Sequence, residues 1–175
     1  MAHISSLSSG IFTYLDFHNA APAASVDTAA EYAGLFVTAN ASDISRIPSV
    51  REFPSIGTPA NIVNVPVYGQ ATSSQVQGQS DAPTLEVTVN YIASDMEEIH
   101  NLIGTEVVFR FMMTESACTQ DEGAGSTLAK ANTEFYFKGK IEAILVNPAL
   151  TDATTATVTL SAQSDFFGPA TIAAS

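Results

Sequence analysis

Residues 83–113 read PTLEVTVNYIASDMEEIHNLIGTEVVFRFMM, and no other stretch limits the fold as much. Leu85, Val87, Val89 and Tyr91 alternate with Thr84, Glu86, Thr88 and Asn90, the period of a strand with one buried and one wetted face. Ser94, with Glu97 three residues on, has the pattern of a capping box, and Met96, Ile99, Leu102 and Ile103 then share one side of a short helix. Gly104 supplies a left-handed stop, after which Val107, Phe109 and Phe111 alternate through 105–113. The unit is strand, short helix, strand. A helix this short does not hold itself together in water, so its apolar side must lie across a sheet.

The rest of the chain supplies that sheet. Residues 1–10 are Ser-rich and read as an N-terminal arm, followed by a strand in which Ile11, Thr13, Leu15 and Phe17 share a face. Within the Ala-rich 19–30, Thr28 with Glu31 starts a turn of helix, and 32–38 is apolar and β-prone. Residues 44–83 carry Pro48, Pro54, Pro59 and Pro66 with Gly57, Gly69 and Gly78 around a β-like run at 61–68. This predicts a protruding hairpin in a long loop, with Pro66 at an edge. A flexible acidic loop is expected over 114–132. Residues 133–146 then form a long strand with Phe135, Phe137, Ile141, Ala143 and Leu145 on one face. Asn147-Pro148 turns it into a return strand at 154–163, with Ala156, Val158, Leu160 and Ala162 inward and Thr155, Thr157, Thr159 and Ser161 outward. The tail 164–175, with Phe166, Phe167 and Pro169, is too apolar to float and is expected to dock on its own body or a neighbour. The expected fold is mainly β: one domain, an antiparallel β-sandwich or barrel with one short flanking helix.

Charge narrows the function. Six Lys and Arg against eighteen Asp and Glu give a net charge of −12, which argues against a surface that grips nucleic-acid phosphates. Charged residues make up 14% of the chain, against roughly 25% in average soluble domains. The surface is therefore mostly Ala, Ser, Thr, Asn, Gln and Gly, which suits it to being covered by other copies. The sequence opens without a secretory signal pattern, nothing approaches the roughly 20 apolar residues of a membrane span, and Cys118 is the sole cysteine. Synthesis and folding in a cytoplasm are expected.

No catalytic constellation emerges. Glu97 and His100 have the i, i+3 spacing of carboxylate-bridged metal sites, but the second such motif and the additional acids are missing. Residues 123–127 with Lys130 lack the spacing of a phosphate loop, and Asp121 and Glu122 would repel phosphate. Cys118 with His100 forms no recognisable triad. No metal, no cofactor and no enzymatic role are expected.

The order of parts resembles the major tail tube protein of bacteriophages with long, flexible, non-contractile tails. The resemblance covers about 35–164 and rests on Ile47-Pro48; the β run ending Val65-Pro66-Val67-Tyr68-Gly69; Val76-Gln77-Gly78-Gln79-Ser80-Asp81-Ala82-Pro83; the strand 84–91; the helix opening Ser94-Asp95; Phe137-Lys138-Gly139-Lys140-Ile141-Glu142; and Thr157-Val158-Thr159-Leu160-Ser161. It implies a structural virion protein. Six copies form a ring whose strands join into an inner barrel, and rings stack into a hollow tube through which DNA passes without specific binding. Tape-measure, tail-tip and tail-terminator proteins are the implied partners, the virion tail is the implied location, and assembly takes place in the host bacterial cytoplasm. The tube protein of a bacterial contractile secretion apparatus and a self-associating surface or adhesin module are the alternatives.

Polar strand faces make Glu86, Thr88, Asn90, Glu142, Thr157 and Thr159 candidates to line the lumen, although alternation fixes which residues share a face and not whether it meets the bore or the outside. Candidates for contacts between rings come from the loops and the tail: Ile47, Pro48, Ser73, Ser74, Gln75, Gln77, Gln79, Asp121, Glu122, Phe166 and Phe167.

Overall fold

A computed structural model of the chain describes residues 12–19, 28–57, 62–66, 68–69, 71–72, 74–77, 83–114, 117 and 129–170, with backbone only at 38, 39, 74, 76, 77, 129–133 and 170. The elements are β1 (Thr13–His18), α1 (Ala29–Leu35), a 3-10 segment (Thr38–Asp43), β2 (Ile44–Arg46), β3 (Val50–Glu52), β4 (Ile62–Val65), β5 (Ser74–Gln77), β6 (Thr84–Asn90), α2 (Ala93–Asn101), β7 (Glu106–Thr114), β8 (Ala129–Asn147), β9 (Thr155–Ala162) and β10 (Phe167–Ala170). The main sheet is antiparallel with strand order β2-β1-β7-β8-β9-β6-β3, and β10 adds to β8.

The two ends of that order are nearly joined, because only Ile47, Pro48 and Ser49 separate β2 from β3. The Ile47 N–H donates to the Leu15 carbonyl at 3.0 Å, the Asn90 N–H donates to the Ser49 carbonyl at 2.9 Å, and Ser49 takes φ 53 to make the corner. The chain thus steps from one edge to the other and curls the sheet around a core. That core holds Leu15 and Phe17 of β1, Leu85, Val87 and Val89 of β6, Val107, Phe109 and Phe111 of β7, Phe137 and Ile141 of β8, and Ala156, Val158 and Leu160 of β9. Phe109 and Phe137 stack at 5.1 Å. Side chains buried this fully contribute roughly 1.5–3 kcal/mol each.

The strand-helix-strand unit forms as its sequence requires: Met96 and Ile99 of α2 are buried in the core, and Gly104, at φ 80, ends the turn with its N–H on the Ile141 carbonyl at 2.8 Å. The helix start differs from expectation. Ile92 is the N-cap, no side chain caps the helix, and the Ser94 hydroxyl donates to Asp95 at 2.9 Å. Because the helix begins at Ala93, Ser94 already lies in the first turn, where its side chain cannot act as the cap. Leu102 is half-buried and Ile103 exposed, since both lie beyond the last turn.

Residues 32–38 are not a strand. The Thr28–Glu31 capping box is present, with the Thr28 N–H donating to Glu31 at 3.0 Å, and the helix it starts runs to Leu35. Tyr32, Ala33 and Phe36 then fall on one helical face, packed on Ile44, Val108 and Tyr136 as a second small core. That core lies on the outer face of the β1-β7-β8 half, so β7 is buried on both faces and not one.

The long strand β8 changes phase. Ile141 pairs with Leu160 but Ala143 with Thr159, so Glu142 is an extra residue that bulges. Beyond it the side chains exchange faces: Ile144 packs on the core, and Leu145, expected inward, is 60% exposed. The described part of the tail, 164–170, docks on its own body through β10, with Phe166 4.9 Å from Phe137 and Phe167 5.0 Å from Tyr32, while 171–175 lie outside the described residues. Residues 1–10 and most of the 114–132 loop lie outside the described residues, and β8 begins at Ala129. A charge at position 144 therefore differs from one at 145: Ile144→Asp should lower unfolding free energy by about 2–4 kcal/mol, with Leu145→Asp within about 0.5 kcal/mol of wild type. Urea titration of both variants checks the phase change.

Candidate assembly surface

The outer face of the curled sheet is divided. Over β1, β7 and the first half of β8 it is covered by α1; over β6, β9 and the second half of β8 it is open. Register places Glu86 opposite Thr159, Thr88 opposite Thr157 and Asn90 opposite Thr155 across β6 and β9. The bulged Glu142 accepts a hydrogen bond from the Ser161 hydroxyl, whose residue lies opposite Thr84. Glu86, Thr88, Asn90, Thr157 and Thr159 thus lie on one face of the sheet, with Glu142 beside them. The inward partners Leu85, Val87, Val89, Ala156, Val158 and Leu160 are buried, so a one-residue slip of both strands would drive Glu86 and five threonines into the core. The face is rigid because its reverse side is packed.

Four further residues belong to this face and were not singled out by sequence. Glu52 pairs with Thr88, Leu145 with Thr157, Lys140 with Ser161, and Glu106 with Lys140. Lys140 and Glu142 both point outward on either side of Ile141, and their i, i+2 spacing was the available signal. Glu52, Glu86, Glu106 and Glu142 set four carboxylates against Lys140, with the exposed Arg51 at the β3 bulge beside Glu52, so carboxylates outnumber cations on the described part of this face.

The hairpin of β4 and β5 forms its own two-stranded sheet, with Val63 opposite Val76 and Asn64 opposite Gln75. Ile62, Val63 and Val65 are 56%, 48% and 41% exposed. The sequence from 53 to 80, which includes both strands, contains no charged residue. A lone two-stranded hairpin is marginal in water, and Val63 and Val65 set an exposed apolar pair on one of its faces. Among the ring-contact candidates, Ser74, Gln75 and Gln77 lie on β5, while Ser73, Gln79, Asp121 and Glu122 lie outside the described residues. Ile47 is not a surface residue: it is 2% exposed and fills the core at the corner between β2 and β3. Pro48 is half-buried beside it, and Phe166 and Phe167 pack within the same subunit.

Beneath α1 the outer face is ionic. Arg46, Asp16, Arg110, Tyr136 and Phe167 form one cross-strand row over β2, β1, β7, β8 and β10. Arg46 and Arg110 each approach Asp16 at 2.6 Å, and Asp16 and Arg110 have no side-chain exposure. The Arg110 guanidinium lies 4.7 Å from the Phe36 ring centre, and the Tyr136 hydroxyl donates to Glu134 at 2.5 Å. Burial raises both Glu134 and Tyr136 above their ordinary pKa values; for Glu134 the Tyr136 hydrogen bond and the Arg110 charge oppose the rise without cancelling it. No helix among the described residues is long and apolar enough to cross a membrane.

Neither a protein-family model nor a curated protein matches the sequence. The three-dimensional structure does match solved ones. The SPP1 tail tube superposes with a TM-score of 0.60 at 13% identity, over 95% of this chain and 81% of that one. The chain has the tail-tube fold. A sheath/tube terminator of PVC, an extracellular contractile injection system, in its extended state, gives a TM-score of 0.55 at 11% identity over 93% of this chain and 96% of that one. The tail-tube fold is thus met here in a phage tube and in a contractile machine, and it does not by itself assign the chain to a non-contractile tail. In this copy of the fold, Asp16→Asn should remove the carboxylate that pairs the buried Arg110 and the half-buried Arg46 and cost about 3–5 kcal/mol, read as a loss of urea stability with the native circular dichroism retained in buffer.

Proposed function

We propose that the chain is a structural tube subunit. Six copies form a ring, rings stack into a hollow tube in a virion tail, and genomic DNA passes through the bore. The observation that carries this reading is the division of labour on the tail-tube fold: one rigid, open, acidic sheet face beside an uncharged hairpin that projects from the body. A bore must exclude counterion-releasing contacts with phosphate, and a face on which four carboxylates outnumber Lys140 and Arg51 repels a polyanion over about 8 Å at physiological salt. The hairpin needs a neighbour to cover it, and another copy of a chain so poor in charge meets that need. Tape-measure, tail-tip and tail-terminator proteins are the partners proposed for the ends of the tube, and assembly in the host cytoplasm goes with the single cysteine.

The second reading, the tube of a contractile apparatus, is supported by the likeness to the injection-system terminator. Both readings require a tube, and the presence of a sheath gene beside this one separates them. No feature of the described surface supports an enzyme.

Negative-stain electron microscopy of the purified protein over a concentration series should show sixfold rings or tubes with an open bore. Small single particles that persist after addition of tail-tip and tape-measure proteins would reject the tube. Val63→Asp with Val65→Asp should leave the subunit's melting temperature within a few degrees and abolish tubes; tubes of normal length would exclude the hairpin from stacking. In a Cys118→Ser background, Thr88→Cys should react with a bulky maleimide in free subunits and be protected in capped tubes. Equal reaction in both would place this face on the outside.

A further inference from the structure

Copies of a chain with net charge −12 repel one another unless their contact keeps carboxylates apart. Of the ten large apolar residues exposed among the described ones, eight fall into two groups that meet this condition. Ile62, Val63, Val65 and Tyr68 belong to the hairpin segment, and Ile92, Leu145, Val146 and Leu150 to the body. Residues 53–80 carry no charge, and neither do 143–151, which hold three of the second group. Asp152 follows that stretch, and its carboxylate is engaged by the Ala153 N–H at 2.8 Å.

The two groups lie at opposite ends of the same strands. Asn90 pairs with Thr155, and the Tyr91 N–H donates to the Thr154 carbonyl at 2.9 Å, so Ile92 and the turn that carries Leu150 share one end. β8 enters that turn through Val146 and Asn147, which pair with Ala156 and Thr155. Thr84, opposite Ser161, marks the other end, about 20 Å away along β6. There Gly57 and Pro83, the described residues on either side of the hairpin excursion, line one cavity with Thr84 and Leu85. The hairpin therefore leaves the body and returns to it at the end remote from Leu150.

We propose that each copy seats its β4–β5 hairpin, through Val63 and Val65, on the Ile92–Leu150 end of the next copy. This rests on the tube reading and names the surface by which one ring holds the next. Leu150 has 102% relative exposure, so its own body shields none of it and covering it gains the full burial of a leucine. Valines meeting leucine and isoleucine desolvate apolar atoms without stranding a carboxylate. Because the two surfaces differ and sit at opposite ends, the contact is heterologous: it repeats in one direction and does not close on itself. A stack built on it is polar, with free hairpins at one end and free Leu150 turns at the other. Its two ends call for different terminating proteins, one that covers hairpins and one that supplies an apolar arm to the turns.

Cross-linking reads this contact without requiring a finished tube. In a Cys118→Ser background, Val65→Cys and Leu150→Cys proteins carrying tags of different mass are treated with a short bismaleimide, alone and mixed. The mixture should yield a dimer of mixed mass, and neither protein should link to itself. Absence of the mixed product, or self-linking of equal strength, overturns the proposal. Tubes in electron micrographs without the mixed product would keep the tube and remove this contact; the mixed product from particles that never form tubes would keep the contact and remove the tube. Leu150→Ala should raise the concentration needed for association about tenfold. Leu150→Asp, on an exposed turn, should keep the subunit's melting temperature and abolish stacking. Mixed with the Val63→Asp, Val65→Asp protein, it should stack in pairs and no further, since each supplies the one surface the other lacks. A mixture that stays unpaired overturns the proposal.

Discussion

The architecture depends on β8 pairing with different strands along its length. Residues 134–140 pair with β7, and 139–147 pair with β9. One strand therefore belongs to the half beneath α1 and to the half with the open face. Gly139 sits at the crossover, where a Cβ would come 2.9 Å from the Ser161 carbonyl and 3.2 Å from the Phe109 ring, so the backbones there approach as closely as glycine allows. Just beyond, the bulge at Glu142 bends the strand and resets its faces. Loss of either feature would separate the two halves and with them the core that both enclose.

The outer face follows from the same strand. Moving along β8 from Glu134 through Tyr136, Lys138 and Lys140 to Leu145 passes from a dry ionic layer to a wet polar platform without leaving one side of the sheet. What changes is the cover. Where α1 lies over the sheet, charges must pair, as Asp16 does with Arg46 and Arg110. Where nothing lies over it, threonines suffice, because β-branched residues suit a pleated surface and their hydroxyls meet water.

Much of this was legible in the sequence because alternation is a direct imprint of a two-faced strand. The core of β6 and β9, the α2 crossover and the projecting hairpin follow from spacing alone. What stayed hidden has a common cause. Asp16 between Leu15 and Phe17, and Arg110 between Phe109 and Phe111, occupy positions that alternation assigns to the outside, and that much is correct. Alternation carries no information about what lies on that outside, so a buried ion pair reads as a wetted one. The helix that does the burying was masked by an apolar run whose aromatic residues suit strand and helix equally. The bulge was hidden for a different reason: a single extra residue leaves both flanking patterns intact and only reverses their relation, which put Leu145 inside and Ile144 outside. Ile47, in a proline-rich loop, looked like surface because nothing local shows that the loop crosses between two sheet edges.

The order of the strands also sets the order of events as the chain folds. β1 has one of its two neighbours in β7, and the Asp16–Arg110 contact joins residues 94 apart in sequence. Closing so long a segment is slow, and topologies rich in such pairings fold late. β4 and β5 lie close together in the chain, and hairpins of this kind form in about 1–10 μs. The hairpin therefore samples its pairing before the curled sheet has closed, and a newly made chain exposes Val63 and Val65 while its core is still open.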